Sequence, residues 1–596
     1  SNTGKGILVT SSATLGDYDL SAESYLSIAA NQTLAGQLNL QTNGELKTSG
    51  DGQYIGDIAL AGGKFSATDS QVLSGTLSIT ADSELRVSDN YTLTLSQAGG
   101  LSLGANTLTL SGGGSLVSGG LTLDNASSKL LLNSITVDNV STSLASLGLD
   151  VDNNSTVTSL TVGHTTPVSI ADGKTLSGGI TVSAGGSIKL DETGTLASTI
   201  AMSGGTLDAD ESLTLSGALT QSGDITIDVA DTKTLTYTGT AVNLGANTLT
   251  LSGEGRLSNS NALVLNNASS KLLLSNSITV DNVSTSLASL GLDVDANSTF
   301  SSLTVGHTTP VSIASGRTLS GAITVSAGSI KLDEAGTLAS TIAMSGGTID
   351  ADESLTLSGA LTQSGDIVID VADNKTLTYS GTAISLGANT LTLSGGGTLS
   401  NTNALVLNDA NSLLSLAGIL VMGDVDGTAA SNSGKGIQVS SSATLGDYDL
   451  SAVSYLYIAA NQTLAGQLNL QTNGELKTSG DGQYIGDIAL AGGKFSATDN
   501  QVLGGTLSIT ADSELTVSDN YTLTLSQAGG LALGANMLTL SGGGSLVSGG
   551  LTLDNASSKL VLNSIIVDNV STSSGSLGLD VDNDSTVTSL TVAHTT

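Results

Sequence analysis

The amino-acid sequence predicts an all-β chain that folds as a parallel β-solenoid, a single-chain elongated rod with about 20 residues per turn. Three observations predict this fold. Apolar and polar residues alternate in short runs, similar runs recur every 18 to 21 residues, and long stretches of the sequence return almost unchanged. No single turn can bury its apolar face, so such a chain is stabilised by stacking each turn on its neighbours.

The alternation predicts short strands with one buried face. Gly, Asn, Asp and Ser interrupt the runs at the positions where a chain bends. No stripe with a 3.6-residue period persists long enough to predict a helix. The alternating pairs of three consecutive turns are Leu38 and Leu40, Ile58 and Leu60, and Leu77 and Ile79.

A second apolar position repeats in the same three turns, at Leu46, Phe65 and Leu85. We therefore expect these three residues to lie above one another on the inside of the coil. Glycine permits the positive φ angles of tight bends. The pairs expected at corners are Gly62-Gly63, Gly119-Gly120 and Gly204-Gly205.

Two longer repeats organise the chain. Leu103-Gly104-Ala105-Asn106 returns at residues 244–247 and 386–389, a period of about 142 residues. Residues 431–596 repeat residues 1–166 with 16 differences. We interpret residues 1–430 as one full repeat unit and 431–596 as the start of a second, near-identical unit in a longer array. At about 4.8 Å per turn, the whole stack would measure about 140 Å.

Composition excludes several functions. The net charge is −35, with 17 basic and 52 acidic residues, which argues against a nucleic-acid partner. The absence of cysteine excludes disulfides and thiolate metal sites. No apolar run of about 18 residues exists, so no membrane span is predicted. Aromatic residues form only 2% of the chain, so the core has to be built from thin layers of Leu, Ile, Val and Ala.

The three histidines, His164, His307 and His594, occupy one repeat position. A metal or catalytic site needs several ligands that meet in space, and these residues are many turns apart. We interpret them as turn residues that face solvent.

Acidic clusters recur at 150–154 and 293–297, and again at 208–211 and 350–353. Calcium prefers oxygen ligands of this kind, but the Gly and Glu positions of an EF-hand loop are missing. We interpret the clusters as solvated turns, with weak calcium sites as the alternative, and predict no other cofactor. Thr107 and Thr109, like Thr248 and Thr250, are interpreted as ordinary outward strand residues.

The runs Thr107-Leu108-Thr109-Leu110-Ser111-Gly112 and Ser177-Gly178-Gly179-Ile180-Thr181-Val182 resemble the strand repeats of autotransporter passenger domains. The period of about 20 residues also resembles filamentous-haemagglutinin-type adhesins of bacterial surfaces. The resemblance implies a right-handed β-helix at an extracellular location on the bacterial surface. It identifies no functional residues.

The favoured function is a structural segment of a giant extracellular fibre or adhesin stalk. Its partners would be neighbouring repeat units of the same chain or end-to-end copies. A second hypothesis is an adhesive module whose repeated faces bind cell-surface glycans. A polysaccharide-active enzyme is the third hypothesis, and we predict no enzyme, because only three arginines and no tryptophan are present to build a sugar-cleaving site.

Residues 1–30 and 421–460 fit the 20-residue register poorly. They include Asp17-Tyr18 and its copy Asp447-Tyr448. Two interpretations are open, a joint between repeat units and a longer loop.

Overall fold

The computed structural model describes residues 6–595 and consists of β-strands joined by turns, without a helix in that part of the chain. None of the described chain forms an apolar helix of membrane-spanning length. Contacts divide the chain into two compact units, Ser1–Ser301 and Ser302–Thr596. Strand β38 (Ser298–Val305) contains the point of division.

Unit 1 is built from 37 strands before β38. In chain order, β1 to β37 are Gly6–Val9, Ala13–Leu20, Glu23–Ile28, Thr33–Gln41, Glu45–Ser49, Gln53–Tyr54, Asp57–Ala61, Lys64–Ala67, Gln71–Leu73, Leu77–Ala81, Ser83–Val87, Thr92–Leu95, Leu101–Ser102, Thr107–Ser111, Ser115–Val117, Leu121–Leu123, Lys129–Asn133, Thr136–Thr142, Gly148–Asn153, Ser155–Val162, Thr165–Ile170, Thr175–Val182, Ser187–Leu190, Thr195–Leu196, Thr199–Met202, Thr206–Ala209, Leu213–Leu215, Leu219–Gln221, Ile225–Val229, Thr234–Tyr237, Val242–Asn243, Thr248–Ser252, Arg256–Asn259, Leu263–Leu265, Lys271–Leu274, Thr279–Thr285 and Gly291–Val294.

Unit 2 contains the remaining strands. In chain order, β39 to β75 are Thr309–Ile313, Thr318–Val325, Ser329–Leu332, Thr337–Leu338, Thr341–Met344, Thr348–Ala351, Leu355–Leu357, Leu361–Gln363, Ile367–Val371, Thr376–Tyr379, Ile384–Ser385, Thr390–Ser394, Thr398–Asn401, Leu405–Leu407, Leu413–Ala417, Leu420–Val421, Val425–Gly427, Gly436–Ser441, Ala443–Leu450, Val453–Ile458, Thr463–Gln471, Glu475–Ser479, Gln483–Tyr484, Asp487–Ala491, Lys494–Ala497, Gln501–Leu503, Leu507–Ala511, Ser513–Val517, Thr522–Leu525, Leu531–Ala532, Met537–Ser541, Ser545–Val547, Leu551–Leu553, Lys559–Asn563, Ile566–Thr572, Gly578–Val581 and Thr586–Val592.

Each turn contributes to two parallel sheets, which we name face A and face B. One strand of the turn lies in face A, and either one long strand or two short strands follow in face B. The face A strands are β1, β3, β5, β8, β11, β14, β17, β19, β21, β23, β26, β29, β32, β35 and β37 in unit 1, and β39, β41, β44, β47, β50, β53, β56, β58, β60, β63, β66, β69, β72 and β74 in unit 2.

This arrangement confirms the predicted parallel β-solenoid of about 20 residues per turn. Leu46 pairs with Phe65, and Phe65 pairs with Leu85, in the register that the sequence predicts. On face B, Leu38 pairs with Ile58, which in turn pairs with Leu77. These side chains are almost completely buried, so each turn adds one layer to an apolar core enclosed by the two faces.

Two of the three glycine pairs lie at corners between the faces, as expected, whereas Gly119-Gly120 lies within face B, between β15 and β16. Gly62-Gly63 connects a face B strand to the next face A strand, and Gly204-Gly205 does the same in a later turn. Gly62 has a φ angle of 92° and Gly205 one of 85°. A Cβ atom on Gly205 would lie 2.1 Å from the carbonyl oxygen of Gly186, so the close approach of neighbouring turns also requires glycine there.

Residues 421–460 contain a longer loop, because residues 428–435 between β55 and β56 belong to no strand, but the loop does not interrupt the strand pairing. In unit 2 the ladder continues through the restart of the sequence at Ser431: Leu405 pairs with Val425, Val425 with Tyr448, and Tyr448 with Leu468. This loop explains most of the poor fit to the 20-residue register, because 23 residues separate Val425 from Tyr448, whereas 20 separate Leu405 from Val425. A bulge between Thr444 and Asp447 adds one further residue to β57 without interrupting its pairing with β59.

Candidate functional site

The histidines lie in short bends where a face B strand leads into a face A strand. His164 is exposed between β20 and β21, and His307 is exposed between β38 and β39. Each backbone carbonyl accepts a hydrogen bond from a buried threonine two residues later, at 3.0 Å from Thr166 and 2.9 Å from Thr309. His594 is also exposed. What repeats at the His164 and His307 positions is thus the backbone bend, which the threonine hydroxyl stabilises.

The acidic clusters form ion pairs with lysines of neighbouring turns. Lys129 Nζ lies 2.5 Å from Asp150 Oδ2, and Lys271 Nζ lies 2.6 Å from Asp293 Oδ2. The second pair of clusters behaves in the same way, with contacts Lys189–Asp210, Lys233–Glu211, Lys331–Asp352 and Lys375–Glu353. Within residues 6–595, no three His, Cys, Asp or Glu side chains are grouped so that they could hold a metal ion.

Two of these carboxylates also stack on a like charge. Asp208 pairs with Asp228 on adjacent face A strands, and Asp350 pairs with Asp370 in unit 2. Burial raises the pKa of Asp208, and the nearby charge of Asp210 raises it further. Asp350 has its pKa raised by the same two causes, with Asp352 as the neighbouring charge.

Asp138 shows the opposite behaviour in unit 1. Burial alone would raise its pKa, but hydrogen bonds from Ser118 and Gly119 of the preceding turn outweigh burial and lower the pKa. Ser118 Oγ donates at 2.6 Å, the Ser118 N–H at 3.0 Å and the Gly119 N–H at 3.1 Å. Asp568 repeats this arrangement in unit 2. These aspartates link adjacent turns, a role that the sequence alone did not reveal.

The Thr-x-Thr runs do not stack on one another. Thr107 and Thr109 lie on β14, where their partners on the next turn are Lys129 and Leu131. Thr248 has the corresponding partner Lys271. Longer hydroxyl rows do occur on face B, where Thr195, Thr214, Thr236 and Ser258 pair in succession.

A charged groove recurs in the two units, and we name it the glycine groove. In unit 1 it is lined by Asn43, Gly44, Glu45, Gly62, Gly63, Lys64, Asp82, Ser83, Glu84, Thr107 and Thr109. In unit 2 it is lined by Val453 and by Asn473, Gly474, Glu475, Gly492, Gly493, Lys494, Asp512, Ser513, Glu514, Met537 and Thr539. Glycine occupies three of the lining positions in each groove, so no side chain projects from those positions.

Charges inside the glycine groove are matched across turns. Lys64 Nζ lies 3.0 Å from Glu84 Oε1, while Glu45 accepts a hydrogen bond of 2.7 Å from Ser66. The unit 2 groove repeats the ion pair, with 3.0 Å between Lys494 and Glu514. The sequence analysis missed this groove. The groove could have been recognised in the sequence from Glu45, Lys64 and Glu84, which recur at the period of one turn and each follow a glycine or a serine.

Tyrosine and lysine also meet on face A beside each groove. Lys47 Nζ lies 5.4 Å from the ring centre of Tyr25, and Lys477 Nζ lies 5.5 Å from that of Tyr455. Lys47 additionally contacts Glu23 at 3.0 Å. Tyr457, which replaces the serine found at position 27 of the first copy, is 43% exposed. The second copy therefore presents more aromatic surface at this place.

No protein-family model matches the chain, and neither a curated protein nor a solved structure matches it. The fold is therefore defined by the strand ladders described above, and arguments about function start from the residues of this chain.

Proposed function

We propose that the chain is a structural segment of an extracellular repeat fibre or adhesin stalk on a bacterial surface. The observation that carries the proposal is the unbroken pairing across residue 431 in unit 2. Tyr448 is only 3% exposed beneath Val425, and its hydroxyl donates a 2.8 Å hydrogen bond to Ser454 Oγ. The last turn of one repeat thus covers the first turn of the next, which is what an extendable array requires.

The distribution of differences between the two copies also supports a structural role. Every differing position that the structure describes is exposed or half-buried in the first copy, so the residues buried in the first copy are unchanged in the second. Thr3 lies outside the described residues. The remaining positions are Leu8, Thr10, Glu23, Ser27, Ser70, Ser74, Arg86, Ser102, Thr107, Leu131, Thr136, Leu144, Ala145, Asn154 and Gly163.

Stacking supplies the proposed mechanism. Each added turn extends face A by one strand and face B by one long or two short strands, and it pairs the backbone groups of the turn before it. Neighbouring repeat units of the same chain are therefore the proposed partners. The proposed role is mechanical, and we propose no chemical reaction for the chain. The proposed location accords with the net charge of −35, which favours solubility of a long exposed surface.

The location can be tested on the cells that make the protein. Antibodies against residues 6–595 should label intact cells, and protease added outside the cells should remove the label. Cells lysed before labelling provide the control for total protein. Labelling that requires lysis and resists external protease would contradict the proposal.

A second candidate function is glycan binding by the glycine groove, favoured by the recurrence of the groove in both units. Carboxylates, a lysine and a glycine floor can hydrogen-bond sugar hydroxyls, and Tyr457 offers an apolar surface in the second copy. Titration of the full chain with neutral and acidic oligosaccharides tests this function. Tyr457→Ser and Met537→Thr, which restore residues of the first copy, should weaken binding at the unit 2 groove.

A further inference from the structure

Five asparagines share one place in the solenoid, the corner at which a face A strand bends into face B. In unit 1 these are Asn31 and Asn90, with φ angles of 59° and 65°. In unit 2 they are Asn374, Asn461 and Asn520, with φ angles of 61°, 60° and 68°. All five are exposed. Asparagine is one of the few residues that tolerates this left-handed backbone, which places it at the tip of a protruding turn.

Each of these asparagines begins an Asn-x-Thr triplet, the acceptor motif for N-linked glycosylation. The threonine opens the next face B strand, where its backbone is fixed by the preceding turn. The Thr33 N–H donates to Ser12 Oγ at 3.0 Å, and the Thr376 N–H donates to Ser354 Oγ at 3.0 Å. The motif therefore has a defined shape: a free turn tip followed by an anchored threonine.

The side-chain amides of the five corner asparagines make no hydrogen bond within residues 6–595. Other asparagines of the same motif are engaged or held in strands. Asn153 Nδ2 donates to Asn133 Oδ1 at 2.7 Å, and Asn154 Oδ1 accepts from the Thr175 N–H at 3.0 Å. Asn139 lies inside β18, which is paired on both sides. Exposure, a turn tip and a free amide thus coincide at the corner.

Backbone geometry alone does not require asparagine at this corner. Gly173 and Gly316 occupy the same position in other turns, with φ angles of 67° and 73°, and satisfy the bend without a side chain. Glycine also carries no strain in this region. The asparagine amide is therefore available for a purpose other than forming the turn.

We propose that Asn31, Asn90, Asn374, Asn461 and Asn520 are acceptors of N-linked glycans, which would line one edge of each unit. In the reaction, the asparagine Nδ2 forms a bond to the anomeric carbon of a sugar activated through a diphosphate. The bond from that carbon to the diphosphate oxygen breaks, the diphosphate leaves with the electron pair, and Nδ2 gives one proton to a base of the transferase. The proposal is independent of the fibre function.

Peptide mapping by mass spectrometry, with fragmentation that keeps glycans attached, tests the proposal on chain purified from the cells that make it. Glycan is expected on the five corner asparagines and not on the strand asparagine Asn139. Single hexose increments would identify a nucleotide-activated donor, whereas one uniform oligosaccharide would identify a lipid-linked donor. Unmodified corner asparagines would overturn the proposal, as would equal modification of Asn139.

Variants at two corners provide matched controls. Asn31→Gly keeps the turn, as Gly173 does, and should remove the glycan at that site; Thr33→Val should do the same, whereas Thr33→Ser should retain it. Thr232→Asn creates an Asn-Lys-Thr triplet at a corner that lacks one and should gain a glycan. Glycan that persists on Thr33→Val, or a Thr232→Asn chain without new glycan, would contradict the assignment.

Discussion

Asp208 and Asp138 are both half-buried carboxylates, yet their surroundings shift their pKa values in opposite directions. Asp208 is buried beside another carboxylate, so its charged form is disfavoured in the folded chain. Asp138 accepts three hydrogen bonds from the preceding turn, so its charged form is favoured. The same residue type therefore opposes folding at one position and supports it at another.

Asp208→Asn should raise the melting temperature at pH 7. Because the pKa of Asp208 is raised on folding, its ionisation costs stability at neutral pH, and the cost disappears as the pH falls through the folded-state pKa. The stabilisation by the variant should therefore fade toward about pH 4, where the carboxyl becomes protonated in both states. The difference in melting temperature between the variant and the original chain is measured by circular dichroism at about six pH values between roughly 3.5 and 8.

Asp138→Asn is the control with the opposite sign. The pKa of Asp138 is lowered on folding, so its contribution is present at neutral pH and is lost as the pH falls through that lowered value. The variant should cost about 1–3 kcal/mol at pH 7, because charged acceptors make the stronger hydrogen bonds. Equal signs for the two variants at pH 7 would contradict these electrostatic assignments.

At the scale of single elements, one turn occurs in two nearly identical versions. Residues 230–234 and 372–376 differ only by Thr232 in place of Asn374, and both residues adopt a left-handed backbone, with φ angles of 63° and 61°. The lysine of each turn makes the same ion pair at 2.6 Å, Lys233 with Glu211 and Lys375 with Glu353. The two turns thus isolate the effect of one side chain on backbone strain.

Exchanging the two residues should change stability in opposite directions. A β-branched residue in the left-handed region costs on the order of 1–3 kcal/mol, whereas asparagine is tolerated there. Thr232→Asn should therefore stabilise unit 1 by about 1 kcal/mol, and Asn374→Thr should destabilise unit 2 by a similar amount. Chemical denaturation of chain made without glycosylation gives both values. Destabilisation by Thr232→Asn would show that its hydroxyl bond to the Asp231 carbonyl, 2.6 Å long, outweighs the strain.

The strands and their register could be predicted because inward residues repeat at the period of one turn. Leu46, Phe65 and Leu85 alternate with polar neighbours, and this alternation fixes which side faces the core. The bulge in β57 could not be predicted, because apolar and polar residues alternate normally on both sides of it, and the bulge changes only the number of residues between paired positions. Contacts between turns, such as Asp138 with Ser118, depend on knowing which turns are adjacent, so they followed only from the structure.

The candidate sites were harder to predict than the fold for the same reason. Residue type indicated that Asp150 and Asp208 could bind cations, but stacking places a lysine against one and a second aspartate against the other. The glycine groove combines residues from several turns, and none of those residues forms a recognisable motif by itself. Composition and period define a solenoid, whereas its surface chemistry depends on the vertical order of the turns.

For the molecule as a whole, stability is expected to depend on register and only weakly on length. Every turn contacts mainly the turns directly before and after it, so the free energy of folding is approximately a sum over neighbouring turns. The two copies of the long repeat are consistent with such tolerance, because every residue that is buried in the first copy is unchanged in the second. A block can then be removed without loss of folding if the turns on either side of the cut match.

Unit 1 offers such a cut. Deleting residues 104–244 joins Leu103 to Gly245, so that β32 takes the place of β14, and both strands have the sequence Thr-Leu-Thr-Leu-Ser. Asp82 Oδ1, in the turn before β14, accepts a hydrogen bond of 2.7 Å from the Thr107 N–H. Asp224 Oδ1 accepts the corresponding bond from the Thr248 N–H. The strand sequence and the anchoring hydrogen bond at the new junction thus have a precedent in the intact chain. The shortened chain should keep its β-sheet signal per residue and a melting temperature within a few degrees of the intact chain.

A deletion that is longer by half a turn should behave differently. Removing residues 104–254 also removes β32, so that β13 would lead directly into β33, although both belong to face B. Face A would lose one strand at that level, and the ladder hydrogen bonds of the turns on either side would have no partner. Circular dichroism melts and hydrogen exchange should show broad unfolding and lost protection near the junction. Similar melting of the two shortened chains would mean that register does not control stability.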